Sequence, residues 1–209
     1  MNTPFEAALD RALQATRSDR LDEAEGFLRE AMRLDPQSPT PYFLLGANCA
    51  QEGRNDAAEA AYIACLSRPP ELALARFQLG LLQLTNQRPA AANATWEPLL
   101  HRPESDPIRS FVLGFLEILA GNQARAEALI AHGMALNISV ASLNRDMQGV
   151  LDRLRALPAT TQQEQAPSSA PVPSPPSEKT ARTAKAAEAA QAAEDAGANH
   201  FLIGSYRQS

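Results

Sequence analysis

Residues 39–72 read PTPYFLLGANCAQEGRNDAAEAAYIACLSRPPEL. Two amphipathic stretches flank a turn. Within residues 40–52, Tyr42, Leu45 and Cys49 stand at i, i+3 and i+7, one face of a helix. Gly53-Arg54-Asn55 is turn chemistry. Residues 56–67 carry Ala58, Tyr62 and Cys65 on a second helical face, with Asp56 as the expected N-cap. Pro69-Pro70 then ends the helix, because proline has no N–H to continue it and restricts the residue before it. The stretch is a helical hairpin.

The same hairpin recurs along the chain. Leu-Gly occurs at 45–46, 79–80 and 113–114, each step 34 residues. Alanine stands at Ala24, Ala58, Ala92 and Ala126. Four residues on come Leu28, Tyr62, Trp96 and Ile130, and three further Ala31, Cys65, Leu99 and Gly133. Proline closes the units at Pro36 and Pro70, and at Pro103, one residue early in the third unit. Three independent markers in one period define repeats at about 4–38, 39–72, 73–106 and 107–138. The third unit is read as a turn at Thr85-Asn86-Gln87 and a helix holding Ala92, Trp96 and Leu99. Small residues at the Leu-Gly and Ala positions let the two helices of a hairpin approach closely. Residues 140–157 form one more helix, with Val140, Leu143, Met147, Val150, Leu151 and Leu154 as its apolar stripe.

Composition agrees with an all-α protein. Of 209 residues, 44 % are hydrophobic but only 5 % aromatic, and alanine supplies much of the rest. The net charge of −5 shows no basic stripe, which argues against nucleic acid as a partner. Lysine occurs only at 179 and 185; with the alanine richness this suggests a GC-rich bacterial genome. Cys49 and Cys65 lie on core positions with no metal-ligand spacing, so they read as buried thiols. Neither a signal peptide nor a membrane span is evident, and cytoplasm is the expected location.

A 34-residue helix–turn–helix with Tyr42, Leu45-Gly46, Ala58, Tyr62, Cys65 and Pro70 resembles the tetratricopeptide repeat. The match is fullest in 39–72. Arg76 and Ser110 replace the bulky residue at the Tyr42 position in the next two units, and Arg11-Ala12 replaces Leu-Gly in the first. The resemblance implies a right-handed α-solenoid of helix–turn–helix repeats, capped by helix 140–157. It implies that the first helices line a concave face where ligands bind. On that face Leu9, Phe43, Phe77 and Phe111 share a register. Four residues on lie Leu13, Ala47, Leu81 and Phe115, then Thr16, Ala50, Leu84 and Ile118. All of these but Thr16 and Ala50 are the expected peptide-binding groove. Leu74, Phe77, Leu81 and Leu84, with Ile108, Phe111, Phe115 and Ile118, leave two helices apolar nearly all round, so both are expected to need a cover. The lysines of a carboxylate clamp are missing, which argues against acidic C-termini as ligands.

Composition changes at Pro158. Residues 158–177 read as a Pro/Ser/Ala-rich linker and 178–197 as an Ala-rich helix. Residues 198–209 carry an apolar cluster, Phe201, Leu202, Ile203 and Tyr206, read as a docking tail. His101, His132 and His200 are not gathered by any motif, and no phosphate loop or nucleophile motif is present. No catalytic residue, metal or cofactor is expected, and the chain is not read as an enzyme. The expected function is a scaffold or adaptor that holds an apolar or amphipathic segment of another protein, or its own tail, in the groove. Two alternatives are a bacterial secretion-type chaperone for hydrophobic cargo and a self-associating, homo-oligomeric assembly part.

Overall fold

The computed structural model describes residues 3–156. The linker 158–177, the Ala-rich helix 178–197 and the docking residues Phe201, Leu202, Ile203 and Tyr206 lie outside them. The described residues are all-helical, without a strand. The helices are α1 (Pro4–Arg17), α2 (Leu21–Leu34), α3 (Thr40–Gln51), α4 (Asn55–Leu66), α5 (Ala73–Thr85), α6 (Pro89–Trp96), α7 (Pro107–Leu119), α8 (Gln123–Leu136) and α9 (Ala141–Ala156). A 3-10 segment, Glu97–His101, follows α6. Consecutive pairs α1–α2, α3–α4, α5–α6 and α7–α8 pack as hairpins, and α2 on α3, α4 on α5 and α8 on α9 join them into a stack. None of the described helices is long and apolar enough to cross a membrane.

The helix starts follow local chemistry. Thr3 accepts a bond from the Glu6 N–H at 3.2 Å while Glu6 accepts from the Thr3 N–H at 2.8 Å, a reciprocal capping box for α1. Asp106 accepts from the Ile108 N–H at 2.8 Å and opens α7. Asp56 is not an N-cap: α4 begins at Asn55, and Asp56 lies in its first turn, where its charge suits the helix dipole.

The four hairpin turns share one geometry. Positive φ occurs at Asp19, Gly53, Gln87 and Gly121, one per unit and 34 apart. The next residue's N–H bonds back to Ala15, Cys49, Gln83 and Glu117 respectively, at 2.8–2.9 Å. This satisfies carbonyls at the end of each first helix that would otherwise lack partners.

Close approach within the second, third and fourth hairpins is set by Gly46, Gly80 and Gly114. A Cβ on Gly46 would sit 2.6 Å from Tyr62, and one on Gly114 2.6 Å from Ile130. At Gly80 it would overlap the Trp96 indole. Trp96 crosses α5 at this gap, and its N–H donates to the Phe77 carbonyl at 3.0 Å. The one buried polar group of the largest core side chain is thereby satisfied.

The third unit departs from the expected regular helix. Pro98 cannot donate to the ladder, so α6 ends at Trp96 and the chain tightens into the 3-10 segment. That segment packs on α7, and α5 also approaches α7 directly.

Ion pairs between neighbouring units repeat as well. Arg54 bonds Glu25 at 2.9 Å, Arg88 bonds Glu59, and Arg155 bonds Glu127 at 3.1 Å. At the junction of units three and four the corresponding positions hold Asn93 and Asn122. Burial alone would raise the Glu59 carboxyl, but bonds from Arg88 and Gln83 outweigh it and hold the group below the usual range. Cys49 and Cys65 are buried free thiols, and burial pushes Cys65 up to about 12. Neither is poised as a thiolate.

Candidate functional site

The structure brings Phe77, Phe111 and Phe115 together, but as interior. Phe77 lies 6.1 Å from Phe111 and 5.9 Å from Phe115, and Phe115 lies 5.8 Å from Trp96. Phe77 and Phe111 are 0 % exposed and Phe115 is 2 % exposed. Leu9, Leu13, Phe43 and Leu81 are buried too, while Ala47, Leu84 and Ile118 are half-buried. The expected open floor over these residues is therefore corrected: most of it is core. The physical reason is the approach of α5 to α7. These two helices are apolar nearly all round because each is covered on several sides: α5 by α4 and α6, α7 by α8 and the 3-10 segment, and the two meet through Phe77, Phe111 and Phe115. Gly133 contributes, because a Cβ there would sit 2.6 Å from the Phe111 ring.

An open cavity of about 370 Å³ lies at the N-terminal ends of the same helices. Phe43 of α3, Leu72 and Leu74 at the start of α5, and Ile108 of α7 form its apolar wall. Val140 and Leu143 close it from the α8–α9 connection and α9. Of the ten groove residues expected from sequence, Phe43 alone lines this cavity.

The connection that closes the cavity is rigidly built. Asn137 donates to the Val140 carbonyl at 2.8 Å, and its own side-chain oxygen accepts from the Val140 N–H at 3.1 Å. Asn144 of α9 donates to the carbonyls of Met134 at 3.2 Å and Asn137 at 2.9 Å. These bonds tie the end of α8 to the start of α9. Between them Ile138, which also lines the cavity, is 94 % exposed. A β-branched apolar side chain is thus held in water by a braced loop beside an apolar hollow.

The rim is polar and internally neutralised. Glu71 pairs with Arg76 at 2.6 Å, and Arg102 with Asp106 at 2.5 Å. Outside the rim, Glu104 pairs with Arg109 at 3.5 Å and is 91 % exposed at its side chain. With its charges partnered, the cavity offers apolar contact more than charge recognition.

Histidines and buried carboxylates stand apart from it. His101 bonds Glu97 at 2.8 Å on the surface, and His132 bonds the buried Ser110 at 3.2 Å, joining α7 to α8. Asp146 on α9 is 3 % exposed. Burial pushes its carboxyl up to about 7, against the opposing pull of Arg145 and Arg153.

Sequence reasoning missed Ile138. The available signal was an isoleucine between Asn137 and Ser139, in a short break between two helical patterns where polar residues are the rule. Compared with known proteins, the sequence matches no family model and none of the curated proteins.

Proposed function

We propose that this chain is a protein-interaction module of the tetratricopeptide type that binds an apolar or amphipathic peptide segment at the α3–α5–α7 mouth. In this reading the helical hairpins form a right-handed solenoid, with α9 as its cap. The observation that carries the reading is Ile138, held 94 % exposed beside a cavity walled by Phe43, Leu72, Leu74, Ile108 and Leu143. Exposed apolar surface next to a preformed hollow is what a short peptide anchor fills. The paired rim charges favour an extended segment or helix face with two or three apolar anchors over a charged tail.

The work is done by desolvation. Covering Ile138 and seating one anchor on Leu74 and Ile108 removes apolar area from water at about 25 cal/mol per Å². With about 80–100 Å² at Ile138, its share is about 2 kcal/mol, a roughly thirtyfold effect on Kd. Ordering the peptide offsets much of the gross gain, so weak, exchangeable binding is expected.

The test is fluorescence anisotropy with a panel of labelled amphipathic peptides against the full chain and Ile138→Asp. Because Ile138 makes few contacts, the variant is expected to melt with the wild type yet lose about thirtyfold in affinity. Equal affinity in the two proteins, or no binding by any peptide of the panel, refutes the proposal.

A further inference from the structure

We infer that the occupant of the α3–α5–α7 cavity is the chain's own segment His200–Arg207, so that the site is closed intramolecularly and opens to a competing peptide. This rests on the proposed peptide-binding function and names the ligand of that same site.

Three observations lead there. The first is content. After Leu157 the large apolar residues of the sequence are Val172 and the group Phe201, Leu202, Ile203 and Tyr206. Nearly all the anchoring capacity of that half-hundred residues is concentrated in one six-residue window. A cavity of about 370 Å³ accommodates a few such side chains, and Ile138 at its lip adds a flat apolar contact.

The second is reach. Residue Ala156 ends α9 beside the start of α8, where Gln123 donates to the Leu154 carbonyl at 2.6 Å and Arg155 pairs with Glu127. The cavity lies at the opposite end of α9, at Val140 and Leu143. At 1.5 Å per residue the 16 residues of α9 put these points about 24 Å apart. About 40 residues separate Ala156 from His200. Read as a linker over 158–177 and a helix over 178–197, a connector of that length still has a contour well beyond this distance, at roughly 3.3 Å per extended and about 1.5 Å per helical residue. The distance lies within that reach, so an effective concentration on the order of 1 mM at the cavity is expected.

The third is charge. Residues 197–209 contain Arg207 and no acid. The rim presents the half-exposed Glu71, and Glu104 stands further out in solvent. Glu71 is paired with Arg76 and the lining Arg102 with Asp106, so the rim has no net charge and does not repel Arg207.

A second copy of the chain is the competing occupant. The other exposed large apolar side chains among the described residues are Leu34, Ile63 and Leu119, which lie on three different helices and not at the cavity. They do not extend the apolar lip into a dimer-sized face.

The experiment compares three full-length proteins: wild type, Phe201→Ser/Leu202→Ser/Ile203→Ser, and that triple variant with Ile138→Asp added. The probe is a fluorescein-labelled peptide of residues 198–209. With a trans Kd near 0.1 mM and the resident segment at about 1 mM, the triple variant is expected to bind the probe about tenfold tighter than wild type. Adding Ile138→Asp is expected to remove that binding. Circular dichroism checks that all three keep their helical content. Equal probe affinity in wild type and the triple variant overturns self-docking. If the triple variant ignores the probe but binds other amphipathic peptides, self-docking falls while the peptide-binding function stands. If it binds nothing, both fall. Light scattering at several concentrations distinguishes the source of closure: a dimer that disappears in the triple variant overturns the intramolecular version.

Discussion

Replacing Gly80 by alanine tests the packing of the whole stack, because the expected sign runs against helix propensity. In an open helix interior, alanine is favoured over glycine by about 1 kcal/mol. Gly26 on α2 is such a site, with nothing within 4 Å of an added Cβ, so Gly26→Ala should stabilise by about that amount. At Gly80 the added methyl overlaps the Trp96 indole. Trp96 cannot retreat: it is 0 % exposed, stacked on Phe77 at 6.1 Å, and bonded to the Phe77 carbonyl at 3.0 Å. Overpacking costs about 1–3 kcal/mol, and breaking the indole bond adds about 1–3 kcal/mol for a buried donor left unpaired. Net of the propensity gain, Gly80→Ala should destabilise by about 1–5 kcal/mol. Gly114→Ala should cost less, because the side chain of Ile130 is more compliant than an indole. Urea melts followed by far-ultraviolet circular dichroism measure this, and Trp96, the only tryptophan, reports the site by fluorescence. Trp96→Leu should relieve the clash, so Gly80→Ala should cost at least 1 kcal/mol less in that background. If Gly80→Ala stabilises as Gly26→Ala does, or costs the same beside Leu at 96, the close-approach argument is wrong.

Three further outcomes are expected. Asp146 is held near 7 by burial, so the folded state binds the proton more tightly than the unfolded state. Stability conferred by the protonated carboxyl is therefore full below about pH 4 and is lost as pH rises to about 7, by at most about 4 kcal/mol; Asp146→Asn should flatten that slope in melts taken from pH 4 to 8. Gln87 has φ 58°, where glycine has no Cβ penalty, so Gln87→Gly should be neutral to about 1 kcal/mol stabilising while Gly53→Ala at φ 73° should lose about 1 kcal/mol; chemical denaturation of both checks the shared turn geometry. Phe111→Ala should cost about 3–5 kcal/mol as a core truncation; an unchanged melt would mean that Phe111 is a surface contact after all.

The architecture was legible because periodicity is local. Leu45-Gly46, Ala58 and the large apolar residue at the Tyr62 position, recurring at a 34-residue period, report the 3.6-residue helical face and its packing, which neighbours in sequence decide. The same period was present in features that went unread, such as Arg54 and Arg88 with Glu25 and Glu59. Pro98 inside the third unit is a further local signal, and its missing N–H ends α6 early. The site was not legible in this way. Phe77, Phe111 and Phe115 have the register of a groove, but whether that face stays open depends on how closely α5 and α7 approach. That distance is set by Trp96, Gly133 and the 3-10 segment acting together. Sequence alone determined that helical hairpins form and which side chains face their partners. Only the tertiary structure decided which apolar rows are sealed and that Ile138 is left in water, because burial depends on separations between elements far apart in the chain.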